Sequence, residues 1–148
     1  MTNSEPFRRA GLLRRLAAIC YDAILLAAVL FFAGFLVLPL TGGENIEPNN
    51  PLYTSYLFLV SFIFFTWFWT HGGQTLGMKA WGLKVQTLQG GNINVWQALL
   101  RFVVALISWS AFGLGYLWII WDKENRSWHD RYSETEIIIL PNKKITHP

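Results

Sequence analysis

Charge is scarce in this sequence. Asp, Glu, Lys and Arg make up only 14% of its 148 residues, where a soluble domain carries roughly a quarter. So few charges cannot clothe a water-exposed surface, and an ordinary soluble domain is excluded. Cysteine is scarcer still: Cys20 stands alone, so no internal disulfide holds the fold. Its place in an apolar run reads as a small buried packing residue. The three histidines, His71, His129 and His147, are scattered without an HExxH pattern or paired cysteines, so no metal site is expected. No Gly-x-Ser-x-Gly elbow occurs. The stretch "GGQTLGMK" spaces Gly72 and Gly77 like a phosphate-binding loop. Met78 then falls where that loop needs lysine, and Ala80 follows Lys79 in place of Ser or Thr. Neither an enzyme nor a cofactor is expected from such a set. The net charge of +3 comes without a dense basic patch, which leaves a nucleic-acid partner unsupported.

What the chain has is apolar length. Hydrophobic residues reach 53%, with eight Trp and eleven Phe. Three runs carry no charge: Ala23–Gly43 over 21 residues, Leu52–Thr70 over 19 and Phe102–Trp121 over 20. A helix of about 20 such residues spans the hydrocarbon layer of a bilayer, and none of the three runs has the polar face of a soluble helix. The first run is too long for a secretory h-region and is interrupted at its start by Asp22, so it is expected to be a retained membrane helix. Arg8-Arg9 resembles an export signal only superficially.

The spans are predicted as helix one over about Leu12–Leu38 and helix two over about Tyr53–Trp69, with Trp67 and Trp69 in an interfacial belt. After Gly72-Gly73, Thr75–Trp81 suits a short interfacial helix. "LKVQTL" then alternates like a strand, and "QGGN" before "INV" is a hairpin signal. "TEIIIL" near the end is a second strand-like run. Each is too short to be stable alone, so Leu83–Leu88 and Thr135–Leu140 are expected to pair. The loop 41–51 holds Glu44 and Glu47 and no base, whereas all twelve Lys and Arg lie elsewhere. By the positive-inside rule the N-terminus and the 71–95 segment are then cytoplasmic. A single crossing by the third run would strand Lys123, Arg126, Arg131, Lys143 and Lys144 outside and part the two strands. Gly113 and Gly115 offer a way out: a helix from Val95 to about Trp109, a glycine turn, and a second helix returning to Trp121. Broken backbone at that depth requires protein or a wet cavity around it.

The expected fold is therefore an all-α integral membrane protein of one domain, with a core of about residues 11–140. It is a small transmembrane bundle of two full spans and a third apolar run forming a re-entrant or broken hairpin, with a small cytoplasmic β-element. Its environment is a lipid bilayer, multi-pass, with both ends cytoplasmic.

Asp22 is the residue that most needs explaining, because an unpaired carboxylate in an apolar run is costly. Arg15 lies seven residues before it on nearly the same helix side, about 10 Å away along the axis. Arg101 opens the third run at a similar depth, and Asp130 in "SWHDRY" follows it. Arg15, Asp22, Arg101 and Asp130 are expected to form one buried network, with Asp22 ionised and bonded, directly or through water, to Arg15 or Arg101. Its sharp reading is a site for a proton or monovalent cation; its bland one is a structural lock between helix one and the third run. Arg8, Arg9 and Arg14 read as bases that set topology beside anionic headgroups.

Arg15 with "LAAICYD", "GGQTLGMKAWGLKV" after the second span, and "HDRYSETEIII" near the end together resemble the bacterial RDD family. That family is named for one arginine and two aspartates, which fall here on Arg15, Asp22 and Asp130. Its glycine–glutamine motif falls on Gln74, Thr75, Leu76, Gly77 and Lys79. Glu134 departs from the small residue the family often carries before the threonine. The resemblance implies an inner-membrane protein, with transport of an unidentified ligand, and cation/proton antiport in some members. Two functions follow as expectations. One is an ion-coupled carrier that needs a homo-oligomer to enclose a path, since no internal repeat is present. The other is a non-transporting assembly, scaffold or regulatory subunit that docks on another membrane protein through its aromatic second helix.

Overall fold

The structure is a computed structural model and describes residues 8–141. Helix α1 (Leu12–Val37) ends in a 3-10 turn, Leu38–Thr41, that contains Pro39 and closes on the left-handed Gly42. Helix α2 (Pro51–Thr70) starts at a built cap: the Asn50 side chain accepts from the amides of Leu52 at 3.0 Å and Tyr53 at 3.2 Å, and Pro51 gives up no needed donor at the first helical position. Both helices are long and apolar enough to cross a membrane. Phe31, Phe35, Leu59 and Ile63 stand exposed on them, which suits a lipid surround. Cys20 is exposed as well, correcting the expectation of a buried packing residue.

Two short elements and one long helix follow: α3 (Leu76–Ala80), β1 (Leu83–Thr87) and α4 (Val95–Ser110). "INV" forms no strand. Asn94 and Gln97 instead exchange the two bonds of a capping box, at 2.8 and 3.1 Å, and start α4 there. The third apolar run breaks after Ser110. Phe112 at φ 55° and Gly113 at φ 75° turn the chain left-handed, and α5 (Leu114–Leu117) with the 3-10 turn Trp118–Ile120 leaves at 106° to α4. The break falls where the glycines predicted it. The second arm is shorter and more nearly crosswise than the returning helix expected, because the left-handed pair sets its direction. Gly115 seats this arm: a Cβ there would lie 2.8 Å from that of Ser108 and 3.0 Å from the Trp128 ring.

Helix α6 (Trp128–Tyr132) then packs on α4, and β2 (Thr135–Ile139) pairs antiparallel with β1, Leu83 opposite Ile139 and Thr87 opposite Thr135. The chain just before α1 joins the other edge of β2: the Ala10 amide donates to Ile137 at 2.9 Å and the Ile139 amide to Arg8 at 2.8 Å. Arg9 adds an ion pair to Glu136 at 2.7 Å. Leu83, Val85 and Ile137 bury one face of this sheet against Ala10, Ala18, Met78 and Ala98. The start of α1, the segment after α2 and both ends of the third run thus meet at one end of the molecule. Glu134 makes the turn into β2 at φ 54°, a conformation that favours glycine.

Candidate functional site

Asp130 lies at the centre of the buried charge, with no solvent exposure. One of its oxygens accepts from Arg15 Nη1 and the other from Arg101 Nη1 at 2.5 Å. Each arginine is held by further acceptors. Arg15 donates through Nε to the Ala10 carbonyl at 3.0 Å and through Nη2 to that of Asn125 at 2.9 Å. Arg101 donates to Thr135 Oγ1 at 2.5 Å and lies 5.2 Å from the centre of the Trp69 ring, within cation–π range. Trp69 is therefore part of this site, while Trp67 stays exposed. Burial pushes the Asp130 carboxyl up, but the two guanidinium charges outweigh it and hold the group well below the usual carboxylate range. Burial and the same arginines act together on His129, whose pKa falls to about 3 although the Asp130 charge opposes this. His129 is thus neutral, with Nε2 2.9 Å from Ser127 Oγ.

Asp22 is not part of that cluster. Among the described residues it pairs directly with neither arginine, which corrects the expectation of a direct bond to Arg15 or Arg101. Its Oδ2 accepts from Thr75 Oγ1 at 2.5 Å and its Oδ1 from the Gly77 amide at 2.8 Å. Thr75 caps α3, its hydroxyl oxygen also accepting from the Met78 amide at 3.1 Å. The physical reason is reach. Asp130 arrives between the two arginines on α6 and takes both, whereas Asp22 meets the amide end of α3, which is favourable ground for an anion.

Gly77 makes that meeting possible. A Cβ added there would strike the Ala18 carbonyl and lie 2.8 Å from Asp22 Cγ. Gly77→Ala is therefore expected to cost about 1–3 kcal/mol of stability through overpacking, read as a lowered melting temperature in detergent. Leu76→Ala, at an exposed neighbour, should leave stability nearly unchanged; equal behaviour of the two variants would refute the close contact. Gln74 supports the same motif from behind, donating to the Leu83 carbonyl at 2.6 Å. Lys79 is exposed and touches none of the buried charges.

Arg15, Asp22 and Arg101, though not all bonded together, line one cavity of about 330 Å³, with His129, Tyr116 and Thr75 also in its wall. Phe65, Trp69, Phe102 and Trp109 supply much of the apolar remainder. The sequence reading missed Thr75 as the partner of Asp22, and Trp69, Thr135 and Asn125 as partners of the arginines. A threonine just before an apolar turn is a recognisable N-cap signal. The long-range carbonyl of Asn125 has no local signal.

No curated protein and no solved structure compared with this chain matches it. The sequence profile described as the RDD family matches residues 9–134, a stretch that contains Arg15, Asp22, the 72–79 motif and Asp130. The chain belongs to the RDD family.

Proposed function

We propose that the protein is an ion-coupled carrier of the bacterial inner membrane in which Asp22 takes up and releases a proton or monovalent cation. The clamp of Arg15, Asp130 and Arg101 stays fixed and holds α1 to α4 and α6. The division of the four charges carries this reading. Both arginines are engaged by Asp130, and Asp22 sits on the cavity wall with neutral donors only. An ionisable residue in a membrane helix that faces a cavity is functional by default. So few helices enclose no path alone, and the carrier works as a homo-oligomer or with another membrane protein.

Both ends of the chain are cytoplasmic in this reading, and the third apolar run enters the bilayer and returns. Support comes from the absence of Lys and Arg in the 41–51 loop and from the pairing of residues 8–10 and β1 with β2. Asn142, outside the described residues, provides a label site. Asn142→Cys should resist a membrane-impermeant thiol reagent in intact cells once Cys20 is replaced by Ala; strong labelling would mean that the run crosses once.

A second reading, a non-transporting subunit, is favoured by one observation: both Asp22 oxygens are hydrogen-bonded, so the carboxylate also pins α3 to α1. Reconstitution into proteoliposomes with an internal pH dye separates the two. Na⁺, K⁺ or Li⁺ should drive proton flux through the wild-type protein, and Asp22→Asn should reduce it to the rate of empty liposomes. Folded wild-type protein without flux would leave the subunit reading standing.

A further inference from the structure

We infer that the cavity between α1, α2 and α4 is a binding site for an amphipathic monocarboxylate, an apolar body carrying a single carboxylate. Its size is the first argument. About 330 Å³ falls in the range of small-molecule sites and is far more than a bare alkali cation needs. Its walls are the second, because Phe65, Trp69, Phe102, Trp109 and Leu26 suit a hydrocarbon or aromatic body, whereas the oxygens of the wall gather about Asp22 and Thr75.

Unused hydrogen-bonding capacity is the third argument, and it defines the head group. Arg101 and His129 both line the cavity and are 2% and 4% exposed. Among the described residues, Arg101 Nε and His129 Nδ1 are buried without a hydrogen-bond partner. Leaving such groups unsatisfied is costly, and a guanidinium N–H is a strong donor to a carboxylate. Charge agrees with the assignment. Arg15 and Arg101 share one carboxylate, that of Asp130, so the clamp carries a net charge of one positive unit. His129 is neutral, and among the described residues Asp22 is the one acidic side chain in the cavity wall. A carboxylate entering beside Arg101 balances the clamp, and the Asp22 charge works against it.

This inference deepens the carrier reading by naming the coupled solute, yet binding requires no flux, so each can fail alone. The test is saturation binding of radiolabelled laurate to the full chain in phosphatidylcholine nanodiscs, with empty nanodiscs subtracted. Laurate should bind saturably and be displaced by unlabelled laurate, but not by dodecanol or dodecyltrimethylammonium at the same concentration. Displacement by benzoate as well would assign the ligand to the aqueous side; laurate alone would assign it to the bilayer. Arg101→Lys keeps the charge and loses Nε, and should weaken binding about tenfold. Ala105→Phe, which fills the cavity without touching a charge, should abolish binding. Asp22→Asn should tighten it by about tenfold while abolishing proton flux. Non-saturable uptake, equal displacement by the alcohol or the cation, or undiminished binding in Ala105→Phe would overturn the site. Laurate binding in a protein that carries no proton flux would overturn the carrier reading and leave the site in place.

Discussion

Asp130→Asn is expected to cost the folded protein about 3–5 kcal/mol, the largest loss from any single substitution at the site. Asn is nearly the same size, so packing is not the cause. The change removes the counter-charge of two buried guanidinium groups at once, and neither can shed its proton. Set against a total stability of roughly 5–15 kcal/mol for most domains, that loss should leave much of the protein unfolded in mild detergent. Adding Arg101→Gln should restore part of it, because only one arginine then lacks a partner. Double-mutant cycles separate the aspartates. Asp130 with Arg15 should couple strongly, whereas Asp22 with Arg15 should couple by less than about 0.5 kcal/mol. Strong coupling of Asp22 to either arginine would refute the division of charges described above.

Acid should unfold the protein early, and His129 should be the main reason. Its pKa is about 3 in the folded state and about 6.5 in an unfolded chain. Between these values the unfolded state binds the extra proton, so stability falls as pH falls. The loss from this one residue amounts to about 3 kcal/mol between pH 7 and pH 4. Asp130 acts in the same direction but lower on the scale. Its folded pKa is depressed, so its contribution is present above the ordinary carboxylate range and fades as pH drops through and below it. Melting temperatures of wild type and His129→Gln between pH 7 and pH 4 provide the measurement. The wild-type curve should fall steeply below pH 6.5 and that of His129→Gln should be much flatter. Parallel curves would show that His129 is not buried in neutral form.

Much of this architecture is legible before any coordinates are known, because apolar length, turn residues and the placement of bases are local signals. The two long helices, the break at Gly113 and the pairing of 83–87 with 135–139 are all of that kind. The charges of the site are legible too, but not their pairing. Arg15 and Asp22 share one helix side, and sequence spacing makes them look like partners. The choice is made by residues far along the chain, Asp130 at a separation of 115 and Thr75 at 53. Nothing local reveals that Asp130 reaches both arginines first. Trp69 is ambiguous for a related reason: an indole at a helix end fits a headgroup belt and a cation–π contact equally well, and only α4 brings Arg101 beside it.

The strand contact between residues 8–10 and β2 also bears on the order in which the protein is made. The ribosome delivers residues 8–10 well over a hundred residues before their partner, Ile137 to Ile139. Asp130 likewise emerges after Arg15 by more than a hundred residues. Arg15 waits 115 residues for its counter-ion, and Arg101, made later, shares that state for the last 29 of them. A chain halted before residue 130 stays in that state, with a sheet edge unpaired and two positive charges unbalanced. Closure of the fold thereby waits on one late segment, residues 130–139, which settles the sheet edge and both buried arginines together.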